Sequence, residues 1–314
     1  MHSVSLSYPL CFLIGVSSLG SVACAEPSDQ TDDLRGNSLR VSSMKYPASS
    51  KWKTSTVAPS VPVGSFIQGA DPFVMRSPDG AAYLYTTNRP GINVPVYKAE
   101  SAPDWVSLGD AMPSLPPWAN SGRTWAPETI RLKSGKYLLF FTAKDRKTGK
   151  QCVGRAEAMS PAGPFADSAR RPFICDAETL TSIDPSPFED SDGGLYLLWK
   201  TKEIKENGEY LTKIWIRSLT PDGLLAGDDS VVLLVNDLSW EGKHVEAPTL
   251  VKNQGKYYLF YSAGASSSMG YSVNYAVSDS VYGAYQKSLS GPIIRKNGFL
   301  KGPGHQSLLI LGPG

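Results

Sequence analysis

The sequence predicts an all-β fold, a five-bladed β-propeller, on three observations. Five short motifs recur along the chain, marked by Asp71, Glu128, Asp184, Glu246 and His305, at successive separations of 57, 56, 62 and 59 residues. Each of the first four is followed by a Gly turn and a strand dense in aromatic and β-branched residues. No segment carries a long apolar stripe of period 3.6, so helices are expected to be few. Short strands and turns repeating about every 60 residues describe propeller blades.

The first 25 residues contain no Lys, Arg, Asp or Glu, and Ala23-Cys24-Ala25 offers a small-residue cleavage site after an apolar run. The run is too short and too rich in Ser for a membrane span, and reads as a secretory signal peptide over residues 1–25. A lipoprotein reading through Ser21-Val22-Ala23-Cys24 is the lesser alternative. Residues 26–61 are polar and aperiodic, a mobile lead-in of which part could add an edge strand. The propeller is expected over residues 62–314.

Within it the markers sit in Gly69-Ala70-Asp71-Pro72, Trp125-Ala126-Pro127-Glu128, Ile183-Asp184-Pro185, Glu246-Ala247-Pro248 and Gly302-Pro303-Gly304-His305. The aromatic strands run from Gly80 to Thr87, Gly135 to Thr142, Gly194 to Lys200 and Gly255 to Ser262. A further strand follows in each unit, from Val96 to Ala99, Cys152 to Ala156, Ile214 to Ser218 and Tyr271 to Val277. Repetition of the Tyr-Leu-Phe strands at one phase marks them as blade core, Trp199 included. Cleavage of the leader would leave Cys152 and Cys175, 23 residues apart, as a natural disulfide pair in an oxidising compartment. Two unlinked buried thiols are the alternative.

Composition narrows the function. The 31 Lys+Arg against 29 Asp+Glu give a net charge of +2, unlike the basic excess of a nucleic-acid binder. Three His and four Cys exclude a protein with several Cys/His zinc sites, so acid–base chemistry must rest on carboxylates. The chain has no P-loop, C-x-x-C or H-E-x-x-H motif. In a propeller the first strand of each blade lines the central axis, which would bring Asp71, Glu128, Asp184 and Glu246 together. Like charges in one cleft push their pKa values apart, so that one carboxyl can donate a proton while another stays ionised.

Asp71-Pro72-Phe73-Val74, the WAPE of Trp125 to Glu128, Asp184-Pro185-Ser186-Pro187-Phe188, the EAPTLVK of Glu246 to Lys252 and Gly302-Pro303-Gly304-His305 resemble glycoside hydrolase family 43. The resemblance runs from about residue 62 to 314. It implies a five-bladed propeller that inverts configuration while cleaving α-L-arabinofuranosyl or β-xylosyl linkages of arabinan, arabinoxylan or xylan. By motif, Asp71 is similar to the general base, Asp184 to the carboxylate that tunes and orients the acid, and Glu246 to the general acid. His305 resembles the residue that contacts a structural calcium, or its waters, in the axial channel of some members. No cofactor is implied for the chemistry, and no nucleic-acid or membrane partner; a monomer is expected.

After His305 the chain runs nine residues and stops, so the fifth blade reads as cut after its innermost strand unless residues 26–61 supply the rest. Each marker carboxylate adjoins or nearly adjoins a Pro and could simply begin a turn. Trp125 is a candidate platform for a sugar ring, or else blade packing. Glu128 is a structural or substrate-contact residue, and His244, two residues before Glu246, could sit near the acid. Asp190 and Asp192 read as a solvated hairpin turn. The rivals to the inverting hydrolase are a retaining fructan-cleaving propeller, whose Asn-Asp-Pro-Asn-Gly signature is absent, and a shortened propeller that only binds glycan.

Overall fold

The structure is a computed structural model, and it describes residues 10–15, 21–26, 53–54, 67, 69–100, 104–297 and 300–310. Among these the chain is all-β, with one 3₁₀ turn at Ser239–Glu241. No described helix is long and apolar enough to cross a membrane.

The strands fall into successive antiparallel meanders. First come β1 (Leu10–Gly15), β2 (Ser21–Glu26) and β3 (Lys53–Thr54). One sheet is then β4 (Phe73–Arg76), β5 (Ala82–Tyr85), β6 (Pro95–Ala99) and β7 (Val106–Asp110). The next meander is β8 (Ala119–Arg131), β9 (Tyr137–Asp145) and β10 (Gln151–Ala158). A parallel pairing of Gln151 with Thr181 joins it edgewise to β11 (Thr181–Glu189), β12 (Leu195–Ile204), β13 (Tyr210–Leu219) and β14 (Val231–Val235), giving seven strands. A third sheet is β15 (Val245–Asn253), β16 (Lys256–Ala263), β17 (Ser272–Ser278) and β18 (Gln286–Lys287). The last strand, β19 (Gly304–Ile310), pairs with β1, so the order of the fourth sheet is β19-β1-β2-β3. Strands from the stretch that reads as leader and lead-in therefore occupy the positions outside β19, where the sequence reading ends the unit.

The inner strands pack in a ring: β4 against β8, β8 against β11, β11 against β15, β15 against β19, and β19 back against β4. The core lies in layers between adjacent sheets rather than in one central mass. Because side chains alternate along a strand, Leu139 and Phe141 of β9 enter one layer while Leu138 and Phe140 enter the next. Leu197 and Trp199 likewise point away from Leu198, and Leu259 and Tyr261 away from Phe260. Burial on both faces is why these strands read as continuous apolar runs. Each such Leu or Phe contributes about 1.5–3 kcal/mol by leaving water. Trp199 stacks on its cross-strand partner Trp215, ring centroids 6.3 Å apart, and is 5% exposed. Cys152 of β10 and Cys175 are joined in a disulfide.

One feature of the inner strands corrects the sequence phase of the repeat. Asp71, Ala126, Asp184, Ala247 and His305 are all left-handed, with φ between 46° and 54°. Non-Gly residues rarely adopt this conformation, at a cost of about 1–3 kcal/mol each. The strand pairings slip across these positions in β8, β11 and β15. Asp71, Asp184 and His305 are therefore equivalent, but Glu128 lies two residues beyond its own blade's equivalent position and Glu246 one residue before.

The left-handed amides are held by the neighbouring meander. Thr87 Oγ1 accepts the N–H of Ala126 at 3.0 Å, Thr142 Oγ1 that of Asp184 at 3.1 Å, and Ser262 Oγ that of His305 at 2.7 Å. These hydroxyls sit at the same place on successive second strands, opposite the residue that precedes the left-handed one. At the corresponding position of β12 stands Lys200, paired with Ile183. An ammonium cannot accept, and the N–H of Ala247 goes instead to Asp184 Oδ2 at 3.1 Å.

The 3₁₀ turn is fixed by a buried network. Glu241 is fully buried; its Oε2 accepts the N–H groups of Asp237 and Leu238 at 3.0 Å, and its Oε1 the Tyr261 hydroxyl at 2.8 Å. Lys287 Nζ of β18 reaches both oxygens at 2.8 Å. Removing one partner of a buried ion pair leaves the other uncompensated, so Lys287→Met is expected to lower unfolding stability by about 3 kcal/mol. A urea midpoint equal to that of the parent protein would show that the network adds nothing.

Candidate active site

The ring of inner strands brings Asp71, Asp184, Glu246, Glu128 and His305 to one hub, although up to 234 positions separate them. Asp184 and Glu128 are buried, and the side chains of Asp71 and Glu246 retain 29% and 12% of their exposure. Two cations face these four carboxyls. His305 Nδ1 lies 3.2 Å from Asp71 Oδ1, and Lys200 Nζ lies 3.0 Å from Glu246 Oε2, with the Lys200 side chain 3% exposed.

The cations sort the carboxyls. Burial would raise the pKa of Asp71, but the His305 charge, the bond from its ring nitrogen and the bond from the Thr87 hydroxyl outweigh it and hold the carboxyl below its usual range. Burial opposes the charged form of His305 too, yet Asp71, with Asp184 and Glu128 behind it, pushes its pKa up to about 9. At neutral pH His305 is an imidazolium that donates to Asp71. Glu246 is likewise pressed upward by burial and pulled further down by Lys200, helped by hydrogen bonds from Lys200 and Tyr271. Asp184 moves the other way: burial and the adjacent Glu246 charge outweigh His305 and Lys200. Glu128 is raised to about 8, chiefly by burial, against His305 and a hydrogen bond with Ser186. The hub at neutral pH thus holds Asp71 and Glu246 ionised and Glu128 neutral.

This ordering differs from the expectation of a raised donor at Glu246, and Lys200 is the cause. Sequence reasoning passed over Lys200, although the signal was present: three of the four aromatic strands end on a hydroxyl, at Thr87, Thr142 and Ser262, and the third ends on Lys200. Tyr271 was missed as well, being read only as the start of a further strand. Its ring occupies the space where a side chain at position 304 would lie, which accounts for the glycine of Gly302-Pro303-Gly304-His305.

The other expected residues are placed as follows. Trp125 is half-buried on β8, opposite Thr142 and one residue before a left-handed position, the register that Glu246 holds on β15. His244 is half-buried and stacks on Tyr210 at 6.2 Å between centroids. Its Nδ1 is buried without a hydrogen-bond partner. His305 Nδ1 is engaged by Asp71 at 3.2 Å, which leaves Nε2 as the nitrogen that could meet a calcium ion or its waters. Among the described residues no group of three or more His, Cys, Asp or Glu is arranged to hold a metal.

Comparison with known proteins identifies the family. Residues 62–311 match the model of glycosyl hydrolases family 43. The chain is 30% identical to a beta-xylosidase of Xylanibacter ruminicola over 57% of this chain and 60% of that protein. It is 25% identical to an extracellular exo-alpha-(1->5)-L-arabinofuranosidase of Cellvibrio japonicus, over 77% and 71%. The chain thus spans well under the full length of these relatives. A thermostable family-43 glycoside hydrolase of known structure superposes with a TM-score of 0.68 at 30% identity, over 76% of this chain and 78% of that one. An arabinanase of Bacillus subtilis superposes at 0.60 with 22% identity, over 77% and 85%, which speaks to the shared fold alone. The fold is a β-propeller, and with its family motifs gathered at the hub the chain belongs to glycoside hydrolase family 43.

Proposed function

We propose that this protein is a secreted, inverting glycoside hydrolase that releases arabinofuranosyl or xylosyl units from arabinan, arabinoxylan or xylan, acting as a monomer. The observation that carries the reading is the hub itself, where several buried carboxyls are divided into ionised and protonated members by Lys200 and His305. We take the four complete meanders as four blades and β19 as the inner strand of a fifth, whose outer positions β1–β3 occupy in the uncleaved chain.

In this mechanism Asp71 is the general base. His305 and Thr87 each donate to one of its oxygens, which keeps it ionised and fixes its orientation toward an attacking water. Glu246 is the general acid, donating from the protonated fraction that Lys200 keeps small at neutral pH, and Asp184 lies beside it, its pKa raised by burial and by the Glu246 charge, while accepting from the Ala247 amide. Inversion needs acid and base on opposite faces of the sugar, with carboxyls roughly 6.5–9.5 Å apart to admit the water. Trp125 offers a face to the sugar ring, and Glu128, neutral, contributes a hydrogen bond rather than charge. General acid–base help of this kind is typically worth about 10²–10⁴ in rate.

Three outcomes are expected. Glu246→Gln loses activity on natural oligosaccharides but keeps much of it on aryl glycosides with acidic phenols, which need little protonation, whereas Asp71→Asn loses both. If Asp184→Asn shows the leaving-group pattern instead, the donor is Asp184; if neither does, the acid assignment fails. Lys200 lowers the Glu246 pKa, so its removal raises that pKa. Lys200→Met should accordingly move the basic limb of the kcat/KM pH profile to higher pH, and a profile unchanged in a folded variant contradicts the role given to Lys200. Export with cleavage after Ala25 predicts an N-terminus at Glu26 in protein recovered from the medium. Sequencing that finds Met1 there would leave β1 and β2 in the mature fold and end the leader reading.

A further inference from the structure

The wall beside Glu246 carries more positive charge than the hub needs. Lys200 and Lys202 are two apart on β12 and so share a face. Lys202 pairs with Thr212 across β13, and Tyr210 is two residues from Thr212, so Tyr210 lies on that face too. From the other side, the loop that enters β15 brings Lys243 and His244. The ring of Tyr210 lies at the centre of the group: Lys202 Nζ stands 3.6 Å from its centroid, Lys243 Nζ 5.7 Å, and His244 stacks on it. Tyr210 and Lys243 also line an open cleft of about 390 Å³ between the β12–β13 hairpin and the loop before β15.

The carboxylates nearby are already committed to other partners. Glu203 pairs with Lys213 at 2.8 Å, Glu209 with Lys205 at 3.8 Å, Asp237 with Lys287 at 2.6 Å, and Glu246 with Lys200. Among the described residues no carboxylate forms an ion pair with Lys202 or Lys243. Burial, and after it Lys200 and Lys243, push the pKa of Lys202 down against the opposing charge of Glu246, and burial with the three lysines does the same to His244. The Nδ1 of His244 beside them is buried without a hydrogen-bond partner.

We propose that Lys202, Lys243, Tyr210 and His244 form the subsite for a leaving-group sugar that carries a carboxylate, a uronic acid residue. The placement on the leaving-group side rests on the proposed role of Glu246, because the acid protonates the oxygen that joins the two sugars. Tyr210, its ring lying under Lys202 and against His244, holds these groups in place. The two ammonium groups take the sugar's carboxylate, as charge-assisted bonds that outlast the neutral ones around them. A neutral leaving group would leave the lysines facing each other without a counter-charge.

The test uses two probes that differ in one group: a xylosyl or arabinofuranosyl glycoside whose leaving-group residue is glucuronic acid, and its carboxyl-reduced form, whose leaving-group residue is glucose. At low ionic strength the wild-type protein is expected to favour the acidic probe by about tenfold in kcat/KM, the scale of one or two partly exposed charge pairs. The preference should fall toward parity in Lys202→Gln and Lys243→Gln, persist in Lys202→Arg, and shrink in 0.5 M salt because exposed charges are screened. Parity in the wild type, or an undiminished preference in the folded double Gln variant, overturns the subsite. Calorimetric binding of both probes to Asp71→Asn protein separates this inference from the hydrolase reading. Discrimination in binding with no hydrolysis by the wild type keeps the subsite and fails the activity. Equal binding of the two probes fails the subsite whether or not sugar is released.

Discussion

The constraint on which this structure depends is electrostatic: the ring of inner strands forces four carboxyls into a space with little water, where they cannot all carry charge. An isolated ion moved into such a medium loses several kcal/mol of solvation even after relaxation. The protein meets this in two ways. His305 and Lys200 each sit against one carboxylate and hold it ionised. Glu128 gives up its charge, and Asp184 is pushed in the same direction. The division of labour among chemically similar side chains follows from which of them has a cation within about 3 Å.

That placement relies on backbone strain repeated around the ring. A left-handed residue bends the chain at each inner strand beside or at the residue that faces the hub, and for Ala126, Asp184, Ala247 and His305 a hydroxyl or carboxylate from the preceding meander receives its amide. Thr87 shows how closely support and function are joined. One hydroxyl accepts from Ala126 and donates to Asp71, so the same atom ties two meanders together and orients the residue to which the base role is given. Asp184 plays the corresponding part for Ala247.

Much of this was legible in the sequence, for physical reasons that differ by element. The second strands were plain because burial on both faces demands unbroken apolar runs, and the Gly turns before them, such as Gly80 and Gly135 with φ of 91° and 88°, had to be glycine. Asp71, Asp184 and His305 stood out because they share one structural position. Glu128 and Glu246 were assigned to the same position and are not in it, because a bulge moves the phase by one or two residues without changing the motif's look. Lys200 was hidden by its surroundings: within Gly194 to Lys200 it reads as the charged end of a strand, and its burial follows only from β15 lying alongside. Residues 26–61 were open as a source of strands outside β19, and β3 lies there, but β1 and β2 were hidden because Leu10–Gly15 and Ser21–Glu26 fall in the stretch that reads as a leader and its cleavage site.

The Glu241 network bears on more than stability. The loop it pins runs directly into Lys243, His244 and Glu246, so a segment that would otherwise sample many shapes is locked before any sugar arrives. Ordering a flexible loop on binding would cost affinity; here the folding reaction has already met that cost through a carboxylate and an ammonium far from the chemistry. Rigidity at the mouth of the cleft is thus inherited from β18, the outermost strand of its sheet, and drift at that rim would be felt as looseness at the centre.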